Sequence, residues 1–184
     1  MNGRPRPGTP SAEPSTPSAA PSRRSGEPGL FTDGYDDVAL VSHAPGDAAL
    51  VSHALDEALT PGRARALLLG GEFAELWEAL TTATEGGKRF RPALLMTTYR
   101  ALGGTQPRLA ARVGAAVELL HTAFVIHDDV IDGDETRRGR PNVAGALAGT
   151  ARAAGVGEPA AAGYGRAAGI LAGDLALAAA VRQV

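Results

Sequence analysis

Residues Phe124 to Arg140 read FVIHDDVIDGDETRRGR, and this stretch decides the fold. Asp128, Asp129 and Asp132 close an otherwise apolar run, and two adjacent arginines, Arg137 and Arg138, follow. Upstream, apolar residues recur at Leu109, Val113, Ala116, Leu120 and Phe124, the three-to-four spacing of a helix with one buried face. The spacing predicts a helix that starts at Pro107, a residue favoured in a first turn. It ends near Asp132, ahead of Gly133 as a C′ residue. At ~1.5 Å per residue the helix is about 39 Å long, enough to cross a domain.

On a helix turning about 100° per residue, His121, Asp128 and Asp132 fall within roughly 40° of one another. Asp129 is turned about 100° from Asp128, and Glu118 about 60° from His121. Carboxylates four apart repel by a few tenths of a kcal/mol, and a helix C-terminus already disfavours negative charge. This end of the helix therefore calls for a cation. Arg137 and Arg138 supply it in one reading, as a solvated ion-pair cluster. A divalent ion supplies it in the other. Unhindered oxygen ligands suit Mg²⁺, which takes one or two carboxylates plus substrate phosphates.

A second stretch bears on the choice. Glu85 to Pro92 reads EGGKRFRP, three cations behind two glycines, stopped by a proline that can open a helix. Lys88 and Arg91 then project from a helix start, whose free amides favour anions. Alone this is a solvated basic turn. Beside an acidic stripe it reads as half of a diphosphate site.

GGKRFRP at 86–92, ELLHTAFVIHDDVID at 118–132, RRGRPNV at 137–143 and, more weakly, GILAGDLALAAA at 169–180 together resemble the trans-polyprenyl diphosphate synthases, the isoprenoid chain-elongating family. The resemblance runs over roughly residues 48 to 184. It implies an all-α fold, the N-terminal part of an isoprenoid-synthase-type helical bundle, assembled as a homodimer through helices. It implies Mg²⁺ as cofactor and, as substrates, isopentenyl diphosphate and an allylic diphosphate. Asp128 and Asp132 resemble the metal-binding carboxylates of the first aspartate-rich motif, with Asp129 supporting them. Arg137 resembles the arginine on the allylic diphosphate. Lys88, Arg91, His121 and Arg138 resemble the isopentenyl diphosphate contacts. Residues one turn before the aspartates line the tail pocket in this family. Small Ala123, with Phe124 beside it, implies a product of farnesyl length or longer, geranylgeranyl first. Family members continue further and carry a second aspartate-rich motif. No acidic residue follows Asp174 here, so the expectation is a chain cut short of that motif. A class I terpene cyclase fragment would share the aspartates but leave GGKRFRP and the arginine pair unexplained. A catalytically inactive partner subunit of a full-length synthase would account for the missing motif.

The rest of the chain sets bounds. The 184 residues carry a net charge of −2, so nothing points to a nucleic-acid partner. There is no cysteine, hence no disulfide framework or thiolate site. No uninterrupted apolar run reaches ~18 residues, residues 1–30 lack a signal-peptide core, and the chain reads as soluble and cytoplasmic. Residues 1–30 hold seven of the thirteen prolines and read as a disordered tail, its Arg4, Arg6, Arg23 and Arg24 solvated. With a transition to residue 46 this tail precedes a helical domain over 47–184. ALVSHA occurs at 39–44 and 49–54. That offset puts His43 and His53 about 80° apart on a helix, which argues against a shared metal.

Within the domain, Asp47 reads as an N-cap, and Thr60-Pro61-Gly62 as a break. A second helix is expected over 63–84, bent or split at Gly70-Gly71, with Trp77 in the core. A third spans Arg91 to Leu102. Residues 133–141 read as an irregular flap, 142–157 as a weak helix and loop, and Pro159 onward as another helix. Gly173-Asp174 within the last is either a family feature or a helix crossing.

Overall fold

The computed structural model describes residues 46–184, and the Pro-rich tail and the first ALVSHA copy with His43 lie outside them. Among the described residues the fold is all-α: α1 Asp47–Leu69, α2 Gly71–Thr84, α3 Phe90–Ala101, α4 Pro107–Asp132, α5 Val143–Ala153 and α6 Ala160–Val181. A two-strand hairpin, β1 Thr136–Arg137 and β2 Arg140–Pro141, sits between α4 and α5. α4 has the predicted bounds and packs against all five other helices.

The buried side of α4 differs from the predicted one. Leu109, Leu120 and Phe124 are exposed, at 47%, 39% and 60%. The helix instead buries Ala110, Ala111, Gly114, Ala115, Leu119, Thr122, Ala123 and Ile126, with Ala116 the one member of the predicted stripe among the buried set. The buried side is thus turned by about one residue, roughly 100°. The reason lies in α6, which buries Gly165, Ala168, Gly169, Ala172, Gly173 and Ala176. Small residues let helix backbones approach closely, and close approach gives dispersion contact that bulk would prevent. A Cβ on Gly169 would come within 2.7 Å of Val130 Cγ2, and one on Gly173 within 2.2 Å of His127 Nε2, both on α4. By length and composition α4 and α6 would pass for membrane-crossing helices, yet about half of each apolar stretch is buried in the fold.

The predicted break at Pro61 is absent. α1 runs through it, because Val51, Ala54, Leu55, Ala58 and Leu59 before it and Ala66 after it are all buried. Packing outweighs the lost helical hydrogen bond. Gly62 makes room for Trp77, whose ring would lie 2.1 Å from an added Cβ, and Trp77 is buried as expected. The chain breaks at Gly70 instead, where φ is 138°, a conformation open to glycine. Asp47 is not the N-cap either; Gly46 is. Buried Asp47 takes two hydrogen bonds from Arg100 of α3, from Nε at 3.0 Å and Nη2 at 2.5 Å.

Within 133–141, expected to be irregular throughout, residues 136–141 form a hairpin and only 133–135 stay irregular. Thr136 pairs with Pro141 and Arg137 with Arg140, and the turn residues Arg138 and Gly139 have φ of 53° and 75°. Two positive φ values between paired strands make a type I′ turn, the twist-matched hairpin connection. Residues 143–153 are a full helix rather than a weak one. Asn142 caps it, its Oδ1 accepting from the Gly145 amide at 2.8 Å.

Candidate active site

α4 ends at Gly133, whose left-handed φ of 73° turns the chain out of the helix. The hairpin then folds back so that Arg137 meets the aspartates. Its Nε donates to Asp129 Oδ1 at 2.9 Å and Oδ2 at 3.2 Å, and its Nη2 donates to Oδ1 at 2.7 Å. Asp129 is buried, at 4% exposure, and a buried carboxylate needs such a partner. The Asp129 hydrogen bond also raises the Arg137 pKa, against the opposing effect of desolvation. Asp128 is only grazed, its Oδ2 lying 3.7 Å from Arg137 Nη2. Asp128 and Asp132 are both exposed. Both sequence readings of this stretch therefore have a place. Asp129 takes the ion pair, and two open carboxylates remain one helical turn apart.

Among the described residues no three His, Cys, Asp or Glu side chains converge into a ready-made metal cage. The donor set still fits a hard cation. It offers two exposed oxygen donors, and Mg²⁺ keeps several waters and completes its shell with substrate phosphate.

The basic residues gather around His121. Burial lowers the His121 pKa first; Arg91 lowers it next, Glu118 pulls it back, and Arg137 and Arg138 lower it further. Charges from the start of α3 and from the hairpin are thus felt at one imidazole, in addition to its burial. One oxygen of Glu118 is buried there with no hydrogen-bond partner. Lys88 and Arg91 are exposed. Between them Arg89 adopts a left-handed φ of 43°, strained for a non-glycine residue, and donates to Ser52 Oγ of α1. Ala123 is fully buried in the core, whereas Phe124 stands outward one turn before Asp128.

Sequence reasoning missed several partners. His127 Nε2 lies 3.5 Å from Asp174 Oδ1, and a Cβ on Gly173 would meet that nitrogen at 2.2 Å, so Gly173-Asp174 marks a helix crossing. Arg152 holds both carboxylate oxygens of Glu135, at 3.0 and 2.9 Å. The Asn142 cap could have been read from Asn-x-x-Gly after a proline. The pairings of Arg100 and Arg152 join separate elements, and no local signal marks them.

The polyprenyl synthetase family model matches residues 74–184. A short chain isoprenyl diphosphate synthase of Methanothermobacter thermautotrophicus is 53% identical over 60 residues, 33% of this chain and 18% of that protein. A geranylgeranyl diphosphate synthase of Mycobacterium tuberculosis is 43% identical over 91 residues, 48% and 26%. A farnesyl diphosphate synthase of Geobacillus stearothermophilus is 46% identical over 71 residues, 37% and 24%. Among solved structures, the geranylgeranyl pyrophosphate synthase of Corynebacterium glutamicum, complexed with isoprenyl diphosphate and magnesium, aligns with a TM-score of 0.65 at 28% identity. That alignment covers 75% of this chain and 40% of the other. The chain spans less than half the length of the proteins it matches.

Proposed function

The chain belongs to the polyprenyl synthetase family, and from that membership we infer that its α4 end and hairpin bind diphosphate in a prenyltransferase. The reaction joins an allylic diphosphate to isopentenyl diphosphate. The allylic C–O bond breaks, the double bond of isopentenyl diphosphate captures the cation, and loss of a proton restores a longer allylic diphosphate. The observation that carries this reading is the division among the aspartates, with Asp129 buried on Arg137 while Asp128 and Asp132 stay open.

Asp128 and Asp132 would hold Mg²⁺, which when bound neutralises charge developing on the leaving diphosphate. Arg137, fixed through Nε and Nη2, keeps Nη1 for a phosphate oxygen, and a planar guanidinium suits that geometry. Lys88, Arg91 and Arg138 add positive charge for the second diphosphate. Neutral His121 can donate one hydrogen bond there without adding charge.

The relatives make products of differing length, farnesyl, geranylgeranyl and geranylfarnesyl among them. A product of farnesyl length or longer, geranylgeranyl first, remains our reading from the small Ala123. Since Ala123 is wholly covered and Phe124 is 60% exposed, Phe124 is the residue better placed to meet a growing tail.

The test is incorporation of labelled isopentenyl diphosphate into allylic product by the chain with Mg²⁺. Product that disappears with Asp128→Ala supports the reading, and product indifferent to Asp128→Ala sinks it. The second reading is a non-catalytic partner subunit of a full-length synthase. It is favoured by the exposed apolar residues Leu109, Leu120, Phe124 and Ile131 along α4, and it expects Mg²⁺-dependent diphosphate binding without incorporation.

A further inference from the structure

Three contacts seat the hairpin against α5 and its N-cap. Asn142 ties its two ends together, its backbone amide donating to the Glu135 carbonyl at 3.1 Å and its Nδ2 to the Asp134 carbonyl at 2.7 Å. Gly145, in the first turn of α5, lies so close that a Cβ there would meet the Glu135 carbonyl oxygen at 1.9 Å. Arg152 of α5 grips the Glu135 carboxylate with both Nη atoms, and its Nε donates to Glu158 Oε1 at 2.5 Å. The other oxygen of Glu158 accepts from the Ala162 amide of α6 at 3.3 Å. A chain of charge-assisted bonds therefore runs from the start of α6 through α5 to Glu135, two residues before Arg137. Arg137 itself grips Asp129 of α4. The hairpin is thus tied both to α5 and to α4.

We propose that Arg152 is a positioning residue of the diphosphate site: by joining Glu135 to Glu158 it seats the hairpin and fixes where Arg137 and Arg138 present their guanidinium groups. The network is ill-suited to a stabilising role. The side chains of Arg152, Glu135 and Glu158 are 38%, 42% and 52% exposed, and ion pairs that wet add little to folding. Geometry is what such a fork imposes. Nothing in this reaches the substrate directly. Arg152 acts through Glu135, and its effect on ligand rests on the proposed function above.

The experiment uses the full 184-residue chain, with inorganic diphosphate and Mg²⁺ as probe. Arg152→Ala should weaken binding about tenfold by calorimetry, the low end for residues that orient a site from outside it, with the thermal midpoint unchanged. Arg152→Lys, with an ammonium in place of a fork, should recover part of the loss. Glu135→Gln should match Arg152→Ala, and the double variant should be no worse than either. The Arg137 Nε–H resonance gives a second reading, independent of ligand. It should be sharp and displaced in the parent, where Asp129 accepts it, and broadened toward the free position in Arg152→Ala. Binding at parental strength with that resonance unmoved overturns the proposal. A parent chain that does not bind diphosphate overturns the proposed function instead, and the Arg137 resonance then decides the role of Arg152 alone. If Arg152→Ala fails to fold, Glu135→Gln carries both measurements.

Discussion

The α4–α6 seam and the α4–hairpin junction meet on one helix and are built on opposite principles. The seam is alanine and glycine packed until an added methyl would overlap a neighbour. It tolerates loss of little and addition of nothing. The junction is charge on charge at a half-wet surface, where Asp128 and Asp132 stay exposed and Arg137 is 41% exposed even while gripping buried Asp129. Such contacts contribute little to folding, and they leave valences free for a ligand. One helix thus separates stability from chemistry between its sides: His127 and Val130 meet the glycines of α6, while Asp128 and Asp132 keep unsatisfied charge.

Asp128→Ala should give the largest functional effect. Removing one electrostatic stabiliser of a transition state costs about 10²–10³ in rate, so incorporation of isopentenyl diphosphate should fall below detection. The thermal midpoint should hold, because a solvent-facing substitution usually stays within about 0.5 kcal/mol. A large drop in melting temperature would break the separation. Gly169→Val inverts the experiment. Its Cβ would press on Val130 Cγ2 of α4, 2.7 Å away, inside a packed seam. Overpacking of this kind costs about 1–3 kcal/mol, read in a urea melt, while the remaining folded protein should bind Mg²⁺ and diphosphate normally. Gly173→Ala should cost less, since the atom it meets is in the movable His127 ring.

Asp129→Asn tests the residue that belongs to both regions. It sits on the buried side of α4 yet carries the charge that anchors Arg137. A hydrogen bond to a charged group is worth about 1.5–3 kcal/mol when buried. Arg137 is partly wet, so about 1 kcal/mol is expected. Diphosphate affinity should fall as well, because Arg137 loses its seat. A change in stability alone would move Asp129 to the packing side.

How much of this the sequence disclosed follows the same division. The bounds of α4, the break at Gly70, the core position of Trp77 and the nearness of aspartates to arginines were legible, since each depends on local spacing or residue type. The buried side of α4 was not. Leucine and phenylalanine dominate any count of apolar residues, but the seam selects for smallness, and only the opposing glycines of α6 reveal that. Pro61 misled for a related reason, because packing on both sides of it outweighs a local breaker. The hairpin was hidden by polar composition, though Arg138-Gly139 between two short flanks is a turn signal. That Asp129 rather than Asp128 takes Arg137 depends on which carboxylate is buried. The Arg152 network joins three separate elements, and spacing along the chain carries no trace of it.

The smallest effect expected is also the most direct measure of convergence at the junction. His121 titrates below its ordinary 6.5, through burial first and the charge of Arg91 next. With the folded value below the unfolded one, the unfolded chain binds more protons in acid. The stability His121 contributes is therefore present above about pH 6.5 and is lost as the pH falls toward the folded value. His121→Gln should flatten that part of the stability profile and leave the neutral plateau unchanged. Arg91→Gln removes the largest charge acting on the ring, so its titration, followed by NMR, should move up toward 6.5. Adding diphosphate to the parent should move it the same way, since an anion among Arg91, Arg137 and Arg138 cancels the field that lowers it. If both leave the titration where it was, those cations do not share a site with His121. The charged end of α4 would then be a solvated surface, and the contrast with the seam would lose its functional half.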